Sequence, residues 1–238
     1  MRLRKQRGPA LSLLLACHPV PTLVMTLVLA AAAALSGRST AEVGLVAAAV
    51  LAGQLTVGWT NDLVDRERDR KVGRQDKPVA LGWVDPGTVS FAVAVAVLAV
   101  IPLSMANGTA AGLAYLAAVL SAWLYNFWFK TTRLSWLPYA VTYGLLPAFL
   151  SYGGLGGGLH GAPPTIAITV LAALLGVGVH FLTALPDLVE DNETGVRHLP
   201  LRIALKTGAP RLLYASMAFT LLVAAGIVVA ALTVGLRQ

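Results

Sequence analysis

Charged residues are scarce in this sequence. Asp, Glu, Lys and Arg make up 12% of its 238 residues, whereas 57% are hydrophobic. A soluble domain of this length would have a more polar exterior, and no long segment has the composition of a folded extramembrane domain. There is also a single cysteine, Cys17, which excludes an intrachain disulfide and indicates no particular redox compartment. We therefore exclude an ordinary soluble or disulfide-stapled domain and assign Cys17 a packing role.

The sequence instead contains repeated apolar runs. A helix needs about 20 apolar residues to cross a bilayer, and several runs approach or exceed this length. They predict an all-α, polytopic transmembrane bundle of about seven spans, formed by one membrane domain over residues 1–238. The spans are predicted near residues 10–34, 43–60, 87–106, 110–129, 136–152, 164–186 and 212–236.

The basic residues predict the orientation of these spans. If the spans alternate, all of the 18 Lys and Arg residues except Arg38 and Arg237 fall on one side. The positive-inside rule makes that side cytoplasmic, which predicts an integral protein of the cytoplasmic membrane with its N-terminus inside and its C-terminus outside. The net charge of +7 is then concentrated on one face, where membrane lipid is the expected partner and nucleic acid is not.

Two acidic segments stand out against this apolar background. Residues 61–69 and 186–191 each follow an apolar, glycine-containing run and precede a basic loop. The tetrapeptides at 62–65 and 187–190 match in residue type at every position, and we interpret them as a faint internal duplication. Because charge is costly near a bilayer, carboxylates at such positions indicate a functional site with a cationic partner.

Helical spacing gives these carboxylates a common target. Positions three and four apart share a helical face, so Asp62, Asp65 and Asp69 point together if the second span continues past the membrane surface. Asp187 and Asp191 do the same if the sixth span continues. Like charges repel by ~4 kcal/mol at 4 Å and an effective dielectric of 20, and a divalent cation would reverse this. Oxygen ligands without His or Cys favour Mg²⁺ over zinc.

A metal at this position suggests a phosphorylated substrate. Mg²⁺ usually takes one or two protein carboxylates and fills its other positions with water and phosphate oxygens. Two facing acidic sets at a membrane surface therefore suggest a lipid diphosphate whose tail lies among the spans. Basic residues surround the predicted site and would neutralise the remaining charge: Arg66, Arg70, Lys71, Arg74, Lys77, Lys130, Arg197, Arg202 and Lys206.

The acidic segments also resemble the signatures of a known family. The pattern N-D-x-x-D-x-x-x-D at 61–69 is similar to the first signature of the UbiA superfamily of intramembrane prenyltransferases, and D-x-x-x-D at 187–191 to the second. Lys77-Pro78 after the first segment, and the glycine, basic and apolar stretch 195–202 after the second, are also similar to that family. Tyr125 and Lys130 match a Tyr and Lys pair that often follows its fourth span.

The resemblance implies a bundle around a lipid-facing cavity, with Mg²⁺ as cofactor and an isoprenyl diphosphate as substrate. The metal would help the C1–O bond break toward an allylic cation, which a small lipophilic or aromatic acceptor, such as a quinone precursor, would capture. A dry cavity with aromatic walls would protect the cation.

The resemblance also implies which residues form the site. The predicted catalytic residues are Asp62, Asp65, Asp187 and Asp191. The predicted metal residues are Asn61, Asp62, Asp65, Asp69, Asp187 and Asp191. The predicted diphosphate-binding residues are Asn61, Arg66, Lys77, Tyr125, Lys130 and Arg197.

The sequence leaves several alternatives open. Some members of the superfamily are terpene cyclases, which use the same motifs without an acceptor. A membrane transporter is a second alternative, although transport sites lie near the bilayer midplane and these acids lie at one surface. Membrane phosphotransferases of the CDP-alcohol class rank lower because their Asp-Gly-x-x-Ala-Arg segment is missing. Since the superfamily usually has nine spans, seven imply that a C-terminal helix pair is lacking from this sequence.

Several local features have structural interpretations. The aromatic residues at 123–129 are typical of an interfacial belt, from which we separate Tyr125 because of the resemblance. We interpret His18 in the first span as a hydrogen-bonded structural histidine, and Pro19 as a residue that shapes the helix. Glu67 lies off the shared acidic face, and we expect it to be solvated or salt-bridged.

Overall fold

The computed structural model describes residues 8–154 and 163–234, and every regular element in these ranges is helical. The basic residues before Gly8 and the end of the last predicted span beyond Val234 lie outside this part of the chain. A single 3-10 turn, Phe129–Thr131, lies between α5 and α6. The α-helices are α1 (Pro9–Ala16), α2 (Pro19–Leu35), α3 (Thr40–Lys71), α4 (Pro86–Ala106), α5 (Thr109–Phe127), α6 (Trp136–Ser151), α7 (Ile166–Ala184), α8 (Leu188–Glu193), α9 (Leu199–Thr207) and α10 (Ala209–Val234).

Each of the seven predicted spans contains a helix, which confirms the all-α membrane bundle. Among the described residues, five helices are long and apolar enough to cross a membrane, namely α3, α4, α5, α7 and α10. A sixth span arises if α1 and α2, which meet at 60°, are counted together. Helix α6 has 16 residues and is about 24 Å long, less than the ~30 Å of a hydrocarbon core. The prediction of about seven spans is therefore approximate.

Helix α3 connects the centre of the bundle to the predicted site. It begins with a capping box, in which Ser39 and Glu42 satisfy each other's backbone N–H groups, and it continues without a break for 32 residues. At 1.5 Å per residue this helix is about 48 Å long, so its final turns extend beyond the thickness of the hydrocarbon core. Around its middle, the Tyr115 hydroxyl donates to the Val50 carbonyl at 3.1 Å, and the Tyr115 ring packs 4.7 Å from the ring of Phe149.

The first predicted span is broken beside α3. His18 lies between α1 and α2 with a φ of 56°, a left-handed conformation that is rare for a residue with a side chain. The absence of a side chain at Gly58 allows α3 to approach this break, because a Cβ at Gly58 would lie 2.3 Å from the Cys17 carbonyl oxygen. The Trp59 indole N–H donates to the Leu13 carbonyl at 2.9 Å and holds α1 in place. Pro19 is the first residue of α2, as its fixed φ favours.

The segment after α3 folds back against the same region. Gly73 adopts a φ of 69°, and the Arg74 N–H donates to the Asp69 carbonyl at 2.9 Å, so the chain reverses at the end of the helix. Val79 is buried in a cluster with Ala16 and Trp59. This apolar anchor returns the segment to α3 and brings its basic residues to the acidic face.

Helices α6, α7 and α10 pack beside one another after the turn that follows α5. Helix α7 contacts both α6 and α10. A Cβ at Gly176 would lie 2.4 Å from the Tyr139 carbonyl oxygen, so glycine is required for this close approach of α7 to α6. The sixth span does not continue through the second acidic segment as predicted, because α7 ends at Ala184 and α8 begins at Leu188. Pro186 explains this ending, since it lacks a backbone N–H and disfavours helix at the preceding residue.

We expect Gly58→Ala to lower the free energy of unfolding by about 1–3 kcal/mol, because the added methyl group overpacks the contact with Cys17. Gly44→Ala in the same helix is the matched control. A Cβ at Gly44 meets no other atom of the described residues within 4 Å, so this variant should gain about 0.5–1 kcal/mol. Denaturant titration of both purified variants in detergent measures the difference. Equal stability of the two variants would contradict the close packing at the break.

Candidate active site

Three carboxylates line one face at the end of α3. Asp62, Asp65 and Asp69 are 2%, 5% and 2% exposed, although residues beside them on the helix are open to solvent. The continuous helix places them together at the three- and four-residue spacing on which the prediction depended. Glu67, on another face, is exposed and pairs with Arg66 at 3.2 Å and Arg70 at 3.6 Å, as expected.

Asp62 is paired with groups from two other segments. Its Oδ1 accepts a hydrogen bond from the Lys77 ammonium at 2.8 Å and lies 3.0 Å from Nε2 of His18. The Lys77 and His18 nitrogens are themselves 3.1 Å apart. The helix break and the returning loop therefore meet α3 at this carboxylate, and His18 has the hydrogen-bonded role expected of it.

Arg68 connects the two acidic segments. Its Nη2 lies 3.2 Å from an oxygen of Asp65 and 3.6 Å from one of Asp69, while its Nη1 lies 3.5 Å from Oδ1 of Asp191. One guanidinium thus contacts carboxylates from both segments, although they are more than 100 residues apart in the sequence. The juxtaposition of the two segments, predicted from their charge and topology, is present in the structure.

Lys130 completes the neutralisation of Asp65. Its ammonium group donates to Oδ2 of Asp65 from the 3-10 turn after α5. Burial lowers the pKa of Lys130, whereas the Asp65 carboxylate opposes that shift. Lys130 is therefore a buried cation that Asp65 neutralises.

The second acidic segment presents its two aspartates differently. Asp191 in α8 is 5% exposed and accepts a hydrogen bond from His198 at 2.8 Å. Asp187 precedes α8, has a side chain that is 38% exposed, and binds Arg74 at 2.6 Å. Arg74 also donates to Asp76, which lowers the pKa of Asp76 to about 2. Asp191 is thus the deep member of this segment and Asp187 the peripheral one.

Two carboxylate oxygens of the acidic face lack a hydrogen-bond partner among the described residues. Oδ2 of Asp62 and Oδ2 of Asp69 are buried and have no hydrogen-bond partner among the described residues. Buried carboxylate oxygens normally have a partner, so these two atoms fit a cation in the site. Within residues 8–154 and 163–234, no three His, Cys, Asp or Glu side chains lie close enough together to hold a metal ion. The acids are instead interleaved with Lys and Arg side chains.

The structure places the other predicted residues at unequal distances from this centre. Asn61 donates to the Asn126 side chain at 3.2 Å, next to the acidic face. Arg66 pairs with Glu67. Arg197 is exposed and donates to the side-chain oxygen of Asn192 in α8 at 2.9 Å, so this contact is with an amide and not with a carboxylate of the site.

An aromatic group adjoins the site on its membrane side. The Tyr125 ring packs edge to face against Tyr139 at 5.0 Å and against His180 at 5.6 Å. Phe127 and Trp128, by contrast, are 48% and 64% exposed and lie on the surface, where an interfacial belt is expected. The structure therefore separates Tyr125 from the belt.

Sequence reasoning missed several polar residues of this site. Arg68 had a usable signal, because it lies three residues after Asp65 on the same helix. His198 and Asn126 had none, since their contacts depend on how separate helices pack. Asn126 is held by a bond from its side-chain amide to the Val57 carbonyl at 3.1 Å, and it in turn positions Asn61.

Several solved structures resemble this fold. A UbiA homologue from Archaeoglobus fulgidus matches with a TM-score of 0.72 at 21% identity, over 94% of this chain and 80% of the homologue. A UbiA homologue from the same organism bound to GPP and Mg²⁺ matches with a TM-score of 0.70 at 20% identity, over 91% and 77% of the two chains. A structure concerning digeranylgeranylglyceryl phosphate synthase in membranes gives a TM-score of 0.64 at 16% identity, over 94% and 78%. At these identities the likeness shows the fold.

The sequence itself shows the family. Comparison with curated proteins finds no match. The model of the UbiA prenyltransferase family, however, matches residues 22–237, which include both acidic segments and begin midway through the first predicted span. The chain therefore belongs to the UbiA prenyltransferase family.

Proposed function

We propose that this protein is a Mg²⁺-dependent intramembrane prenyltransferase that ionises an isoprenyl diphosphate and transfers the prenyl group to a small lipophilic or aromatic acceptor. The observation that carries the proposal is the meeting of the two acidic segments at Arg68, beside two buried carboxylate oxygens without partners among the described residues. UbiA homologues with this fold bind DMAPP or GPP together with Mg²⁺, which supports the same ligands here.

The donor set suits a hard divalent cation. Carboxylate and amide oxygens are the ligands that Mg²⁺ prefers, and the unpartnered oxygens of Asp62 and Asp69 would accept it without breaking a hydrogen bond to the described residues. When bound, Mg²⁺ supplies electrostatic stabilisation of the diphosphate leaving group. The residues proposed to hold it are Asn61, Asp62, Asp65, Asp69, Asp187 and Asp191.

The basic residues are proposed to exchange partners when the substrate binds. Lys77, Lys130 and Arg68 now neutralise Asp62, Asp65 and Asp191. Divalent metal at the carboxylates would free these cations to donate to diphosphate oxygens, for which guanidinium and ammonium groups are well suited. Arg66 and Arg197 complete the proposed diphosphate set, and they would have to leave Glu67 and Asn192 to join it.

The aromatic group is proposed to form the wall beside C1 of the substrate. Tyr125 and Tyr139 pack together edge to face, with ring centroids 5.0 Å apart. Ring faces stabilise a developing cation, and exclusion of water prevents its hydrolysis. We propose that the acceptor enters from the lipid side and that the diphosphate end of the site faces the cytoplasm, where the basic residues are concentrated.

The first test measures products directly. Purified protein with Mg²⁺ and prenyl diphosphates of several lengths should release diphosphate when phenolic or quinone-precursor acceptors are present. Formation of a prenylated acceptor supports transfer, whereas a hydrocarbon formed without any acceptor supports the cyclase alternative. Ion movement in sealed vesicles without diphosphate release would overturn both and favour a transporter.

Asp62→Asn should reduce diphosphate release at least 100-fold, equivalent to about 2.7 kcal/mol in activation free energy, because it removes one charge from the proposed metal site. Asp85→Asn is the matched control. Asp85 is exposed and caps α4 by accepting the N–H groups of Gly87 and Thr88, and asparagine caps helices equally well, so activity and stability should be retained. The rate of diphosphate release at saturating Mg²⁺ measures both variants. Full activity of Asp62→Asn would refute the metal assignment.

Arg68→Gln should lower the melting temperature of the protein in EDTA, because it leaves Asp65, Asp69 and Asp191 without their shared cation. Added Mg²⁺ should then raise the melting temperature more in this variant than in the wild type. Arg211→Gln removes the same charge from an exposed position on α10 and serves as the control. If Arg68→Gln and Arg211→Gln respond equally to EDTA and Mg²⁺, Arg68 is not a counterion of the acidic centre.

A further inference from the structure

The two ring nitrogens of His198 have different hydrogen-bond partners in this structure. Its Nδ1 accepts the backbone N–H of Leu201 at 3.0 Å, as the N-cap of α9. A ring nitrogen that accepts a hydrogen bond carries no proton, so the proton of the imidazole resides on Nε2. Nε2 lies 2.8 Å from Oδ2 of Asp191 and therefore donates to that carboxylate. The cap thus fixes His198 as a hydrogen-bond donor toward Asp191.

The surroundings hold His198 in this orientation. The side chain is 2% exposed, and the start of α9 is bound to a second buried group, because the Leu199 N–H donates to Oγ of Ser135 at 3.3 Å. Ser135 is also 2.9 Å from Nε2 of His180, and both residues are fully buried. The position of His198 is therefore determined by contacts from α6, α7 and α9 together.

The hydrogen bond from His198 leaves the two oxygens of Asp191 with different partners. Oδ2 is occupied by the imidazole, whereas Oδ1 lies 3.5 Å from Arg68, the residue that contacts Asp65 and Asp69. Rotation of the Asp191 carboxylate would break its bond with Nε2. His198 thus directs one oxygen of the second acidic segment toward the carboxylates of the first.

We propose that His198 is a positioning residue that orients Asp191 toward the divalent cation and the diphosphate. The inference rests on the proposed function, because it assigns Asp191 a metal-facing oxygen. Partners that orient a metal-binding side chain through a hydrogen bond typically change metal affinity 10- to 100-fold when they are removed. The predicted effect is therefore on metal affinity first and on turnover through it.

Two substitutions separate the two hydrogen bonds of His198, namely the cap of α9 through Nδ1 and the bond to Asp191 through Nε2. His198→Asn has a side-chain oxygen near the position of Nδ1 and can cap α9, but it is too short to reach Asp191. His198→Gln places an amide nitrogen near the position of Nε2 and can donate to Asp191, but it gives up the cap. Binding of Mn²⁺ to the purified full chain, followed by electron paramagnetic resonance, measures metal affinity without requiring turnover.

His198→Asn should weaken Mn²⁺ binding 10- to 100-fold with a melting temperature close to that of the wild type. His198→Gln should bind Mn²⁺ within about threefold of the wild type, despite a lower melting temperature. Wild-type affinity in His198→Asn, or a loss in His198→Gln as large as in His198→Ala, would overturn the positioning role. If His198→Asn does not fold, the comparison of the Gln and Ala variants decides.

The same experiment separates this inference from the proposed function. If the wild-type chain binds Mn²⁺ and releases diphosphate while His198→Asn retains full affinity, the positioning role fails and the proposed function stands. If the wild-type chain neither binds Mn²⁺ nor releases diphosphate, the proposed function fails and the inference fails with it.

Discussion

Repulsion among buried carboxylates is the constraint on which this site depends. Three aspartates on the last turns of α3 are nearly inaccessible to solvent, and Asp191 is brought up to them from another helix. Two unit charges 4 Å apart interact by ~4 kcal/mol at an effective dielectric of 20, so such a group is unstable without cations. The protein supplies them from the loop after α3, the turn after α5 and α3 itself. If a divalent metal bound the carboxylates, these Lys and Arg side chains would pair with the polyanionic substrate, and the site would stay close to neutral. The charges that stabilise the fold are therefore the same charges that the proposed chemistry uses.

The spacing of the aspartates was sufficient to predict that those of the first segment share one helical face. Because α3 continues through Asp69, the three- and four-residue intervals translate directly into one helical face. The same argument failed for the second segment, where Pro186 ends α7 and the chain restarts in α8. The aspartates there are oriented by tertiary contacts, with Arg74 for Asp187 and His198 for Asp191. No periodicity in the sequence encodes those contacts. Pro19 indicated that the first helix is shaped near this point, but the left-handed conformation of His18 was not predicted.

The distribution of charge along α3 bears on the choice between chemistry and transport. Its carboxylates lie in its last turns, whereas its beginning carries the Ser39–Glu42 capping box. Within residues 40–61 of α3 the sole charged residue is Glu42, at that capping box, so the part of the helix inside the bundle carries none. An ion pathway usually has polar groups near the bilayer midplane, whereas a site for an amphiphilic diphosphate needs charge at the surface and apolar walls behind it. The charge distribution of α3 resembles the second pattern and thus supports the proposed function.

The break between α1 and α2 is part of the same arrangement. A residue with a side chain in the left-handed region is strained by about 1–3 kcal/mol, and it persists where surrounding contacts fix it. Here the contacts are those of the site, because His18 lies 3.0 Å from Asp62 and 3.1 Å from Lys77. A straight first span would continue past this point as a helix and would displace His18 from the end of α3. Because Gly58 has no side chain, the bent backbone fits against α3. His18 then lies beside the buried Asp62–Lys77 pair as its third polar group. The strain at His18 thus lies at the boundary between the acidic centre and the apolar interior, which is the boundary that the proposed amphiphilic substrate would occupy.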